Sequence, residues 1–345
     1  MTPTWHRAMM RPALVLAFCC MAACGDGDRP VQAGGSVFGT SWSLTYLNAP
    51  DHVTDADVHS AVEASFAIVN ESMNHYDPNS LISLFNELSV RTPMEVDWDF
   101  AYVLSAALDL AEVTQGAYDV TVNPLSDLWG FGPAGPTQFP SDDDIRAALA
   151  SVGSEHLEWQ SDIRRLSKLT PGVELDFSSL AKGYAVDLAA DALDGLGIAR
   201  YMLEIGGEVR VRGSSPRGDA WRIAIERPEP GIRGGVHAAL SVVDTGVATS
   251  GDYRNFFEYE GLRYSHLIDP RLGYPVQHDV VSVTVVHGSA MMADAWATAL
   301  TVMGSTEALA MAEARDLAVY LITQSGDSTQ AIASQGMQRY LLDNP

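Results

Sequence analysis

The run Tyr264-Ser265-His266-Leu267-Ile268-Asp269-Pro270-Arg271-Leu272-Gly273 gathers an imidazole, a carboxylate and a guanidinium around a proline turn. A neutral imidazole takes up a proton near pH 7, which no other side-chain type does without perturbation, so His266 is a candidate general base. Asp269-Pro270 and Gly273 predict a turn, placing His266 where a strand enters a loop, the common seat of functional side chains. About twenty residues on, Ala293-Asp294-Ala295-Trp296-Ala297-Thr298 sets a carboxylate and a hydroxyl four residues apart. On a helix these share a face, and both are hard oxygen donors that suit Mg2+ or Ca2+ better than zinc. Each has a plainer explanation when taken alone. An isolated histidine is more often structural, an Asp near a helix start is usually a cap, and a Thr is often filler.

Two further segments combine glycine, aromatic and polar residues. Gly116 to Leu125 followed by Leu128-Trp129-Gly130-Phe131-Gly132 suits the wall of a flat aromatic ligand, although an aromatic loop packed on the core is the commoner case. Leu175 to Asp187 places Ser178, Ser179 and Lys182 at a helix start, where backbone N–H groups can hold phosphate or simply be capped. Its spacing of Gly, Lys and Ser is not that of a P-loop.

The elements that must position these groups follow from periodicity. Apolar residues at helical spacing predict helices over 55–70, 97–114, 142–151, 178–196, 291–303 and 306–314, with a turn and cap at Asp77-Pro78-Asn79-Ser80 before a short helix. Alternation predicts strands over 37–47, 156–166, 169–175, 201–205, 209–213, 221–226, 238–243, 280–286 and 317–323. Strands dominate the second half without regular interleaving of helices, which predicts an α+β fold with largely antiparallel sheets and packed helices, not a doubly wound sheet.

The N-terminus reads as a targeting segment. Arg7 and Arg11 precede an apolar stretch too short to span a bilayer as a mature helix, and Met21-Ala22-Ala23 leads into Cys24. Residues 1–23 are expected to be a lipoprotein signal peptide, residues 24–35 a flexible tether, and residues 36–344 one catalytic domain. Cys19, Cys20 and Cys24 are the three cysteines of the chain, so the remainder has no disulfide and no thiolate metal site. The formal charge of −23 becomes −25 once Arg7 and Arg11 are removed, which argues against nucleic acid and means that an anionic ligand needs local positive charge.

In combination these motifs are more specific than any one of them. Met73 to Ser80 with Asn86, Gly116 to Leu125 with Trp129 to Gly132, Leu175 to Asp187, Ile205-Gly206-Gly207-Glu208, Thr249 to Tyr253, Ser265 to Gly273 and Ala293 to Thr298 stand in the order found in the ApbE family of flavin transferases, which the chain resembles after its signal. The resemblance implies an ApbE-like (T-fold-like) domain. It also implies Mg2+-dependent transfer of the FMN part of FAD to a threonine of a target flavoprotein, with release of AMP. His266 would act on the acceptor hydroxyl. Phe38, Tyr76, Ala117, Tyr118, Asp119, Ser178, Tyr184 and Ile268 would contact FAD, and Ala181, Asp294 and Thr298 would hold the metal. Lys182 would add positive charge nearby, although a lysine at a helix start is usually solvated. The acceptor would be an exported redox-complex subunit, and a lipid on Cys24 would anchor the protein to the periplasmic face of the inner membrane. Two alternatives stay open on sequence: hydrolysis of FAD by water to FMN and AMP, and FAD binding without turnover.

Overall fold

The computed structural model describes residues 29–132, 135, 139–228, 235–251, 256–326 and 328–342. Its frame is an eight-stranded sheet made of β1 (Val31–Val37), β2 (Thr40–Leu47), β3 (Arg200–Ile205), β4 (Glu208–Arg212), β5 (Gly246–Gly251), β6 (Val280–His287), β7 (Ala318–Ser325) and β8 (Ser328–Ala333). These strands lie side by side in chain order, and every neighbouring pair is antiparallel. Between β2 and β3 run α1 (Asp55–Met73), α2 (Leu81–Asn86), α3 (Trp98–Val113), α4 (Asn123–Leu128), α5 (Asp142–Leu149) and α6 (Ala181–Gly195). α7 (Ala290–Ala314) connects β6 to β7. Among the described residues no helix is long and apolar enough to cross a membrane.

Alternation along the strands buries both faces of the sheet. Trp42, Leu44, Tyr46, Tyr201, Leu203, Ile205, Val283, Val285, Val319 and Leu321 face the layer of α1, α3, α6 and α7. Val209, Val211, Val286, Ala318, Tyr320 and Ile322 face the opposite way, against a ribbon of residues 221–226 and 236–242. That double burial explains the unbroken apolar run in β7. A smaller cluster around Leu125, Trp129, Ile145, Phe257 and Ile268 holds the loops that carry His266.

The α+β class stands, with several boundaries moved. The single strand expected over 37–47 is a hairpin that reverses at Phe38 and Gly39, whose φ values of 49° and 73° are those of a tight primed turn. Residues 31–35, expected in the tether, belong to β1. Their glycines and mostly exposed side chains hide the strand from any periodicity argument, and pairing with β2 supplies the order. The strand expected over 169–175 is irregular, interrupted by Pro171-Gly172. α6 starts at Ala181, three residues later than expected, and α7 joins the two expected helices across a break at Gly304, where φ is 76°. The signal segment, Cys24 and the Asp252-Tyr253 part of one motif lie outside the described residues.

Most helices start on a side-chain cap: Thr54 and Ser141 form capping boxes with Asp57 and Asp144, while Ser80, Asp97 and Ser289 cap α2, α3 and α7. α7 has a second, stronger one. The carboxylate of Asp187, on α6, accepts from Ser289 Oγ at 2.6 Å and from the backbone N–H groups of Ala290 and Met291 at 2.9 Å each. Its negative charge also complements the positive end of the helix dipole. Asp187→Ala should lower stability by about 2–4 kcal/mol, since charged hydrogen bonds and a helix terminus are lost together. Thermal denaturation should show Asp187→Asn costing less, because an amide oxygen still accepts.

Candidate functional site

The N-terminal turns of α6 and α7 meet almost backbone to backbone. A Cβ on Gly183 would lie 2.5 Å from the carbonyl oxygen of Ala290, and one on Gly246 would lie 2.5 Å from the Ala290 nitrogen, so glycine at both places lets α7 settle between α6 and β5. This closeness brings Asp294 to the start of α6, where it accepts a hydrogen bond from the Gly183 backbone N–H. α6 itself has no side-chain cap, which leaves its first backbone donors to other partners.

Asp294 and Glu208 are buried, and the partly exposed Lys182 reaches both of them. The Lys182 ammonium lies 2.7 Å from Glu208 Oε1 and 3.6 Å from Asp294 Oδ2. Lys182, 32% exposed, is therefore a charge paired with two carboxylates and not a freely solvated lysine at a helix start. Burial opposes that charge, but Asp294 and Glu208 outweigh it and raise its pKa. Burial pushes the Asp294 carboxyl up to about 8, with Glu208 adding and Lys182 and Gly183 opposing. These two shifts look contradictory and are not, because one ammonium cannot balance two buried carboxylates. Asp294 Oδ2 and Glu208 Oε2 both lack a hydrogen-bond partner. A buried, under-neutralised pair of carboxylate oxygens is the environment of a hard cation. Thr298 stands one turn along α7 and Ala181 opens α6. Among the described residues no group of three or more His, Cys, Asp or Glu side chains could hold a metal ion. A cation here would complete its shell with ligand phosphate and water oxygens, as Mg2+ usually does.

Tyr118 links this cluster to the aromatic loops. Its hydroxyl lies 2.9 Å from Ser179 Oγ, and burial together with the charges of Asp294, Asp176 and Asp119 keeps the phenol well above its ordinary pKa. The next residue, Asp119, uses both carboxylate oxygens within the protein: Oδ1 accepts from Thr121 N and Oγ1, and Oδ2 from Ser154 N. Asp119 and Gly116 line a cleft of about 510 Å3 whose other wall includes Gly153, Ser154, Pro270 and Arg271. Two motifs far apart in the sequence thus share one cleft. Asp269 holds the Arg271 guanidinium through both its oxygens, at 2.9 Å from Nε and 2.7 Å from Nη2, which raises the arginine pKa further.

His266 follows the strand 262–265, where the turn expectation placed it, and its ring lies 6.3 Å from that of Phe131. Ile268, two residues on, is buried and pairs with Pro275. Ser178 is exposed, and its backbone N–H donates to Asp176 Oδ1 at 2.7 Å. Tyr76 is 63% exposed beside His75. Phe38 and Tyr184 stand apart from these contacts. Phe38 packs edge-on to Phe66 in the hairpin turn, and Tyr184 donates its hydroxyl to Asp99 next to Tyr102. Sequence reasoning assigned no role to Glu208, Asp187 or His75, all of which the contacts make important. Glu208 stands in one of the ordered motifs, but a lone Glu after two glycines has no periodicity from which a role could be read.

The junction can be tested directly. Gly183→Ala should cost about 1–3 kcal/mol, because the new methyl overlaps backbone atoms that no rotamer change can clear. Chemical denaturation would measure it, and the same substitution at the open Gly195 should be nearly silent or stabilising.

Comparison with known proteins places this geometry in a lineage. The sequence profile of the ApbE family matches residues 38–321. The FAD:protein FMN transferase of Vibrio cholerae is 40% identical over 322 residues, covering 93% of this chain and 96% of that protein. Its counterpart in Haemophilus influenzae is 39% identical, covering 92% and 94%. The solved flavin transferase ApbE from Vibrio cholerae superposes with a TM-score of 0.84 at 39% identity, covering 91% of this chain and 99% of that one. On sequence and on structure alike, the chain belongs to the ApbE family.

Proposed function

We propose that this protein is an FAD:protein FMN transferase, moving the FMN part of FAD onto a threonine hydroxyl of a target flavoprotein and releasing AMP. The observation that carries the reading is the cluster of Lys182 with the buried Glu208 and Asp294, each of which keeps one carboxylate oxygen without a hydrogen-bond partner, set in a chain similar over its length to enzymes of that name. Ala181 through its carbonyl, Asp294 and Thr298 would hold Mg2+. When bound, that ion supplies positive charge to the pyrophosphate.

The remaining roles belong to the chain's own residues. Tyr76 offers its exposed ring to the isoalloxazine, and Ala117, Tyr118, Asp119, Phe38, Ser178, Tyr184 and Ile268 form the other FAD contacts. Asp119 acts in its loop largely by bracing Thr121 and Ser154. His266 takes the proton of the acceptor hydroxyl as its oxygen bonds to the FMN phosphorus and the bond to the AMP phosphate breaks. Glu208 holds the Lys182 ammonium, so that the lysine does not settle on Asp294 as its sole partner. Residues 1–23 would be removed on export and Cys24 lipidated, leaving the enzyme on the periplasmic face of the inner membrane beside an exported acceptor.

Incubating the purified protein with FAD, Mg2+ and a flavoprotein acceptor tests the reading. AMP release together with flavin fluorescence that stays on the acceptor through a denaturing gel is expected. AMP with free FMN would mean hydrolysis, and bound FAD without AMP would mean storage. His266→Ala should keep FAD binding and lose at least about a hundredfold in transfer, the usual loss when a general base is removed. Asp294→Ala should weaken Mg2+-dependent turnover, and indifference to that change would sink the metal assignment.

A further inference from the structure

The flavin-facing edge of the site contains a charged contact that the proposed reaction does not use. His75 Nδ1 lies 3.3 Å from Asp176 Oδ1, with the two side chains only 10% and 12% exposed. The same imidazole lies under the Tyr76 ring, centroid to centroid 4.3 Å and tilted by 35°. The loop around them is tightly tied. Tyr76 N donates to Asn74 Oδ1 at 3.0 Å, and Asp77 N and Ser80 Oγ donate to Asn74 O at 3.0 and 2.8 Å. Asp176 is anchored too: its Oδ1 accepts from Ser178 N at 2.7 Å, and its own N–H donates to Val120 O at 2.8 Å. His75 thus joins the exposed Tyr76 ring to the segment carrying Ser178.

We propose that the ion pair between His75 and Asp176 braces the flavin shelf, holding the Tyr76 ring in stacking position and neutralising the acidic groups beneath it, so that His75 is a positioning residue for FAD. This rests on the reading of Tyr76 as the residue that packs on the isoalloxazine. The charge argument is local. Asp176, from the segment before α6, and Asp127, from α4, are the charged groups that act on His75. Glu174 and Asp176 in turn push Asp127 up, as burial does first. A neutral residue at position 75 would leave carboxylates facing a ligand that is itself an anion, in a chain already strongly acidic.

The sign of the pH dependence follows. Burial opposes the imidazolium, yet the hydrogen bond and charge of Asp176 and the charge of Asp127 outweigh it and raise the His75 pKa above 6.5. The Asp176 carboxyl is lowered below 3.8 despite its burial, chiefly by His75 and then by Ser178. The brace is therefore complete below the ordinary imidazole pKa and is lost as pH rises through the raised one.

Flavin fluorescence quenching, with FAD titrated into the full-length protein without acceptor across a pH series, reads both stacking and affinity. The native protein should bind FAD less tightly as pH passes the His75 pKa. His75→Gln should bind about tenfold more weakly at low pH, quench less, and show a flat profile, a loss of the size that one charged hydrogen bond and one ring contact provide. Asp176→Asn keeps the imidazole and the acceptor for Ser178, and should move the midpoint to lower pH. It decides the matter by itself if His75→Gln does not fold. Native affinity and midpoint in both variants, with Tyr76→Ala weakened, would overturn the brace while leaving the flavin site standing. Native behaviour in all three would overturn the site reading as well.

Discussion

Everything at the site depends on the carboxylate of Asp187 sitting on the first turn of α7. Three donors converge on it, and their common effect is to fix the axial position of α7 relative to α6. Asp294 and Thr298 lie on that helix, whereas Ala181, Lys182 and Gly183 open the other. The cap therefore sets the distance between the two halves of the charged cluster. Gly183 and Gly246 permit the approach and Asp187 holds it, a division between steric permission and electrostatic attraction that neither could fill alone.

The sheet supplies the third side. β4 turns Glu208, Arg210 and Arg212 toward α6, where Lys182, Asp187 and Asp194 stand in matching order. Each pair opposes unlike charges across the strand and helix interface. Glu208 is the deepest of the three and the one with an oxygen left over. The arrangement makes the cluster a continuation of ordinary packing at its outer end and leaves under-neutralised carboxylate at its inner end.

Much of this was legible in the chain. The short helix after Ser80 announced itself by its turn and cap chemistry, and β2, β3, β4, β6 and β7 by alternation, whereas β5 and β8 did not. His266 was placed correctly at a strand end because Asp269, Pro270 and Gly273 dictate a turn. Local rules failed where order comes from pairing with another strand and not from a segment's own periodicity. β1 is a glycine-rich edge that only its ladder with β2 makes a strand, and Leu169 to Leu175 has the composition of a strand without a partner to pair with. The same holds for the site. Asp294 and Thr298 alone were indistinguishable from a cap and a filler, and the meaning of Lys182 changed from a freely solvated charge to a paired one once Glu208 was opposite it.

The order of the sheet strands also constrains how the molecule comes into being. β2 and β3 are adjacent in space, with Trp42 opposite Ile205, but the whole of α1 to α6 lies between them in the chain. Closing that ladder incurs the entropy of a very long loop, which makes it a late event unless the intervening helices have already collapsed. Glu208 enters with β4, immediately after that closure, and Asp294 only after β5 and β6 have been added. The charged cluster consequently needs the sheet to be in place through β6, so a partly folded chain carries these acidic side chains apart and in water.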